Sequence, residues 1–174
     1  MRLFTIETIP SEKRIEIYLN KEGLDFFIKY LERKRKLEHS EHYHLATEDW
    51  GGDELSNQLQ SSSEDAKLIN HMKFHFWTDE DAKEVTENNK VQALICAEVL
   101  ENEHLYFHLN KEGADCLINQ LKYLINSGSS GYINLLSPEK GGVILWGRQN
   151  IFRSPYIELF HHLQIHYIEE KNEN

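Results

Sequence analysis

The sequence predicts an α+β fold: two tandem β-β-α-β-β-β repeats, each with one helix on a mainly antiparallel sheet, related by a pseudo-two-fold. Three observations predict it. The chain repeats itself at an offset of about 90 residues. Each half has strand-like alternation on both sides of a single helical stripe. A paired glycine follows the helix in both halves, Gly51-Gly52 and Gly141-Gly142.

The repeat is read by superposing the halves. Leu19-Asn-Lys-Glu-Gly23 meets Leu109-Asn-Lys-Glu-Gly113, and Asp25, Ile28 and Leu31 meet Asp115, Ile118 and Leu121. Leu45 meets Leu135, and Leu55 meets Leu145. Residues 1–78 form the first unit, 79–90 an acidic connector, and 91–174 a second, degenerate unit. One helix covers only part of a sheet, so close packing of the two units is expected.

The elements follow in chain order. A first strand is expected over Leu3–Ile9 and over Val91–Val99. The next strand turns Ile15, Ile17 and Leu19 inward, matched by Leu105, Phe107 and Leu109. Asn20 and Asn110 are N-caps, with Glu22 and Glu112 in the electropositive first turn of each helix. Leu24, Phe27, Ile28 and Leu31 form one apolar stripe at helical spacing, repeated by Ala114, Leu117, Ile118 and Leu121. Gly128 ends the second helix. A β-hairpin is expected next, with His42–Leu45 as one arm, Gly51-Gly52 at the reversal and Asp53–Gln58 returning antiparallel. After a polar loop, Met72–Trp77 and Leu163–Ile168 read as matching final strands. Residues 169–174 read as a frayed tail.

Composition narrows the function. The formal net charge is −10, which repels nucleic-acid phosphates; the short run Arg33-Lys-Arg-Lys36 suits a helix C-terminus. Such a surface suits a basic partner. No apolar run is long enough to span a membrane, and the N-terminus, with Glu7 and no apolar core, does not read as a signal peptide. Cys96 and Cys116 lie in apolar segments without metal-ligand spacing and read as buried free thiols of a reducing cytoplasm.

The chain carries ten histidines, in the pairs His42/His44, His71/His75, His104/His108 and His162/His166. No metal-protease helix motif or cysteine cluster accompanies them. His42 and His44, two apart on one strand face, have the best chelating spacing. His75 and His166 fit the solvent side of the final strand. No nucleophile elbow, phosphate-binding loop or dinucleotide fingerprint is present. A pair such as His44 with Asp49 or Asp53 has acid-base capacity, yet such pairs are frequent in so acidic a chain. No cofactor is expected. The second hairpin keeps the apolar frame and glycines but replaces His42, His44 and Trp50 by Tyr132, Asn134 and Lys140. What the halves share serves folding, so a special site belongs to the first half. Trp50 is the residue type that most often anchors an interface, and His42, His44, Asp49 and Glu54 surround it in sequence.

The stretch His42-x-His44-Leu45-x-Thr47-x-x-Trp50-Gly51-Gly52-x-Glu54-Leu55, preceded by Gly23 and Leu31, resembles a family of small bacterial immunity proteins found with polymorphic toxin systems. The resemblance covers residues 14–77, and the second half departs from it at both histidines and the tryptophan. It implies a non-enzymatic protein that binds and blocks a cognate toxin, often a nuclease, in the cytoplasm of the producing cell. The competing readings are a metal-binding domain or hydrolytic enzyme centred on His42 and His44, and an adaptor without a special site.

Overall fold

The computed structural model describes residues 1–36, 38–88, 92–101, 103–142, 145–146, 151 and 154–169. It is an α+β protein with two mixed five-stranded sheets. In the first half β1 (Phe4–Ile9), β2 (Arg14–Leu19), α1 (Lys21–Lys34), β3 (Glu41–Ala46), β4 (Lys67–Leu68) and β5 (His71–Trp77) follow one another. A short helix, α2 (Asp79–Thr86), occupies the acidic connector. The second half repeats the order as β6 (Ile95–Leu100), β7 (His104–Asn110), α3 (Lys111–Asn126), β8 (Gly131–Leu136), β9 (Ile157–Phe160) and β10 (His162–Tyr167). The expected strand over 91–99 begins at Ile95; Val91, like the tail beyond Glu169, lies outside the described residues.

The halves exchange strands. The first sheet runs β4-β1-β2-β10-β8 and the second β9-β6-β7-β5-β3. Replacing each strand by its counterpart in the other half turns one order into the other. Each sheet thus joins the β-hairpin and fourth strand of one half to the third and fifth strands of the other. Three of the pairings in each sheet are antiparallel; the exchanged pairs, β2 with β10 and β5 with β7, are parallel. Ile17 lies between Ile6 on β1 and Ile165 on β10. Phe107 lies between Ala97 on β6 and Phe74 on β5.

The predicted stripes make the core. Ile15, Ile17, Leu19, Leu24, Phe27 and Leu31 are fully buried, as are Leu105, Phe107, Leu109, Leu117 and Leu121. The Phe27 ring lies 5.0 Å from Phe4 of the first sheet and 5.9 Å from Phe74 of the second, so α1 touches both inner faces. Both asparagines cap as expected, through side chains that accept from Gly23 N–H and Gly113 N–H. Gly23 and Gly113 leave no room for a side chain: a Cβ would fall on the Leu3 or Leu94 carbonyl. Each helix start is therefore pressed against the entry to its half's first strand.

The outer faces are partly roofed. Segment 56–61 crosses the first sheet, where buried Glu7 accepts backbone N–H groups from Gln60 and Ser61. Its counterpart Glu98 accepts from Ile151 N–H on the second sheet. There α2 contributes to a smaller core of Ala82, Leu94, Cys96, Trp146 and Ile151. Cys96 is buried as expected, which pushes its thiol pKa up; Cys116 is only half-buried, at the margin of the main core.

The hairpin at Gly51-Gly52 does not form. β3 pairs along its whole length with β5 instead, and Glu48–Trp50 is a single 3-10 turn. Gly51 closes that turn at φ 79°, a conformation for which glycine carries no Cβ penalty. Gly52 sits where a Cβ would meet the Ala46 carbonyl at 2.6 Å. Of the expected return arm one ladder-like contact exists, Leu55 N–H to the Ala46 carbonyl at 3.1 Å. The same turn recurs at Pro138–Lys140.

Candidate functional site

The outer face of the second sheet concentrates the histidines. Side chains alternate across a strand, so His42 and His44 on β3, His71, Lys73 and His75 on β5, and His104, Tyr106 and His108 on β7 all point the same way. Register then forms rows. His42, His75 and His108 lie in one row; His44, Lys73 and Tyr106 in the next; His71 and His104 in a third.

Burial is graded across this face. At the α2 end His108 is fully buried. Its Nδ1 accepts from Trp77 Nε1–H at 3.2 Å, which leaves the proton on Nε2 to face Glu98 Oε2 at 3.1 Å. His75 stacks on Trp77 and on His108, with centroids 5.7 and 5.0 Å apart. The solvent-facing placement expected for His75 is corrected here: it is 9% exposed, because the Trp77 indole covers it. Burial first, and then its neighbours His108 and Lys73, push His75 down to about 3.

At the other end the face is open. His42 and His44 are exposed, as is Trp50 at 46%. His44 Nδ1 meets His71 Nε2 at 2.7 Å, and His71 Nδ1 meets His104 Nδ1 at 3.1 Å. Each contact needs one N–H and one lone pair, so three neutral rings must orient their protons in a single direction along the chain. Trp50 closes the row, edge-on to His104 at 4.8 Å and stacked on His71 at 6.0 Å. Burial holds His71 down to about 4, with the neighbouring histidines and Lys73 adding to the effect. His44 is lowered for the same reasons, burial first and Lys73 next.

The predicted residues are brought together in part. His44, Trp50 and Glu54 line one open depression of ≈ 390 Å³ with His71, and His42 adjoins it, 5.4 Å from His44. Asp49 is exposed on the 3-10 turn beside Trp50. Glu54 is half-buried, and its Oε2 accepts from Ala46 N–H at 3.3 Å and Asp53 N–H at 3.4 Å, so this carboxylate also ties the turn to the end of β3. Sequence reasoning named His71 and His104 only as members of histidine pairs, outside the site, and missed Lys73 and Tyr106. The signal was present: in each of the three strands the histidines fall at positions of one parity. The neighbours they meet are set by the exchanged pairing.

His71 offers different nitrogens to His44 and His104, so the three rings do not converge on one centre. Among the described residues no group of three or more His, Cys, Asp or Glu is arranged to hold a metal ion. No described helix is long and apolar enough to cross a membrane.

The fold and this face define an α+β protein that displays a polar aromatic surface on one sheet. The family model described as Immunity protein 32 matches residues 14–72, from the start of β2 into β5, and supports an immunity-protein family for this chain. The matched stretch is less than half of the chain and contains α1, β3 and the Trp50 turn. No curated protein matches the chain.

Proposed function

We propose that this protein is an immunity protein that neutralises a cognate bacterial toxin, a nuclease being one candidate class, by direct binding in the cytoplasm of the producing cell. It acts by occlusion, without catalysis and without a cofactor, and neither nucleic acid nor a membrane is its target. The open end of the second sheet is the binding surface, with His42, His44, Asp49, Trp50 and Glu54 near the partner. The observation that carries the reading is Trp50: an indole left half-exposed beside His71 and His104, inside the stretch that the immunity family matches. Tryptophan is the commonest hot-spot residue, and its truncation at an interface costs about 2 kcal/mol or more. The carboxylates around it, Glu48, Asp49, Asp53 and Glu54, steer a basic partner.

The test begins with the toxin encoded beside the gene. Trp50→Ala is expected to lose protection and weaken binding about 30-fold or more, with the unfolding midpoint little changed. Full protection by a variant lacking His42, His44 and Trp50 together would move the interface elsewhere.

A further inference from the structure

The two sheets carry corresponding outer faces, and only one of them neutralises its own charge. On the first sheet Arg14 pairs with Glu12 and with Glu16, the latter at 2.7 Å. Tyr18 donates to Glu16 at 2.7 Å, and Gln164 donates to Asn134 at 3.1 Å. Gln164 lies between Asn134 and Glu16 in register. The corresponding position on the second sheet is Lys73, between His44 and Tyr106. There the carboxylate has become a phenol and the amide an ammonium. Among the described residues no carboxylate lies within ion-pair distance of Lys73. Two acids border this face and both are engaged: Glu98 on β6 by His108 and Ile151 N–H, and Glu54, which lines the depression with His44 and His71, by Ala46 and Asp53 N–H.

We infer that the open half of this face is an anion-accepting well, in which Lys73 with the Nε2–H of His44 receives one Asp or Glu carboxylate of the protein partner, and Trp50 covers its flank. The inference rests on the proposed role in toxin binding. A half-buried lysine with no carboxylate in ion-pair distance among the described residues offers a charge-assisted donor. A protein partner is favoured over a polyanion by the rim: Glu48, Asp49 and Asp53 are exposed around Trp50, and their repulsion is far smaller for one carboxylate set among basic groups than for a run of phosphates. The complementary partner surface is a basic ring around a central acid.

Two measurements test this. Against the neighbouring toxin, Lys73→Gln, which installs the residue found at the matching position of the first sheet, is expected to weaken binding about tenfold or more with an unchanged unfolding midpoint. Without the toxin, a lysine-flanked glutamate tripeptide is expected to shift the NMR signals of His44, His71 and the Trp50 indole. The glutamine version of the peptide, and the Lys73→Gln protein, are expected to show no shift. Equal toxin affinity of Lys73→Gln and the unaltered protein overturns the well while leaving the immunity role standing. If the toxin does not bind at all, that role fails and the peptide titration alone decides: no shift, or the same shift with the glutamine peptide, overturns the well. Lys73-dependent binding of a short oligonucleotide in place of the peptide also overturns it.

Discussion

Asn110→Ala is the sharpest test of how the helices are anchored. The Asn110 side chain is 1% exposed and makes four hydrogen bonds. Its Oδ1 accepts from Gly113 N–H and from Leu94 N–H, both at 2.8 Å. Its Nδ2 donates to the Gln92 carbonyl at 2.6 Å and to Asp79 at 3.0 Å. Removing the cap costs about 1 kcal/mol. Stranding the buried Leu94 N–H adds about 1–3 kcal/mol. The two acceptors border solvent and lose little. The sum is about 2–4 kcal/mol, read as a lowered urea midpoint at constant slope. Asn110→Asp separates the two functions, because it keeps both acceptor roles and the cap while setting a carboxylate against Asp79. It is expected to fall between Ala and the unaltered protein at neutral pH, and to recover stability in mild acid as the new carboxylate takes up a proton. A midpoint for Asn110→Ala within experimental error of the unaltered protein would show that this asparagine does not hold β6 to α3.

Other outcomes follow from the same structure. Leu31→Ala and Leu121→Ala each remove a fully buried side chain and should cost about 2–5 kcal/mol in urea unfolding. Gly113→Ala places a methyl group on the Leu94 carbonyl, where the helix start must move away from β6; a loss of about 3 kcal/mol or more is expected by thermal unfolding. Folding lowers the His71 and His75 pKa values, to about 4 and about 3. The stability they contribute is therefore present above the unfolded histidine value, near about 6.5, and is lost as pH falls from there towards the folded values. Urea midpoints should drop over that window, and His71→Gln should flatten the profile.

The repeat and the core were legible because folding needs them twice. Leu19-Asn-Lys-Glu-Gly23 and its copy at Leu109 preserve a strand end, a cap and a close-approach glycine, and both stripes are buried as periodicity requires. The exchange of strands was not legible. Alternation says that residues 71–77 form a strand with one apolar face, but an apolar face does not encode a neighbour, and here β5 pairs with β7 of the other half. The same gap hid the site. His71 and His104 were visible as histidines and their parity could be counted, but only pairing across halves sets them beside His44. Gly51-Gly52 misled for a different reason. A glycine pair signals a reversal, and here the reversal closes a 3-10 turn that anchors Trp50 over the sheet.

Strand exchange also governs the order in which this chain can fold. β3 and β5 leave the ribosome long before β7, the strand they complete a sheet with, and β2 must wait for β10 before its second edge is filled. Such sequence-distant pairing slows folding, and during synthesis it leaves the edges of β2 and β5 exposed to other nascent chains. Residues 162–167 thus arrive after every other described strand and sit between β2 and β8, inside their sheet. Deletion of this strand would strip an interior member of the first sheet and leave β2 and β8 with unpaired backbone edges facing one another.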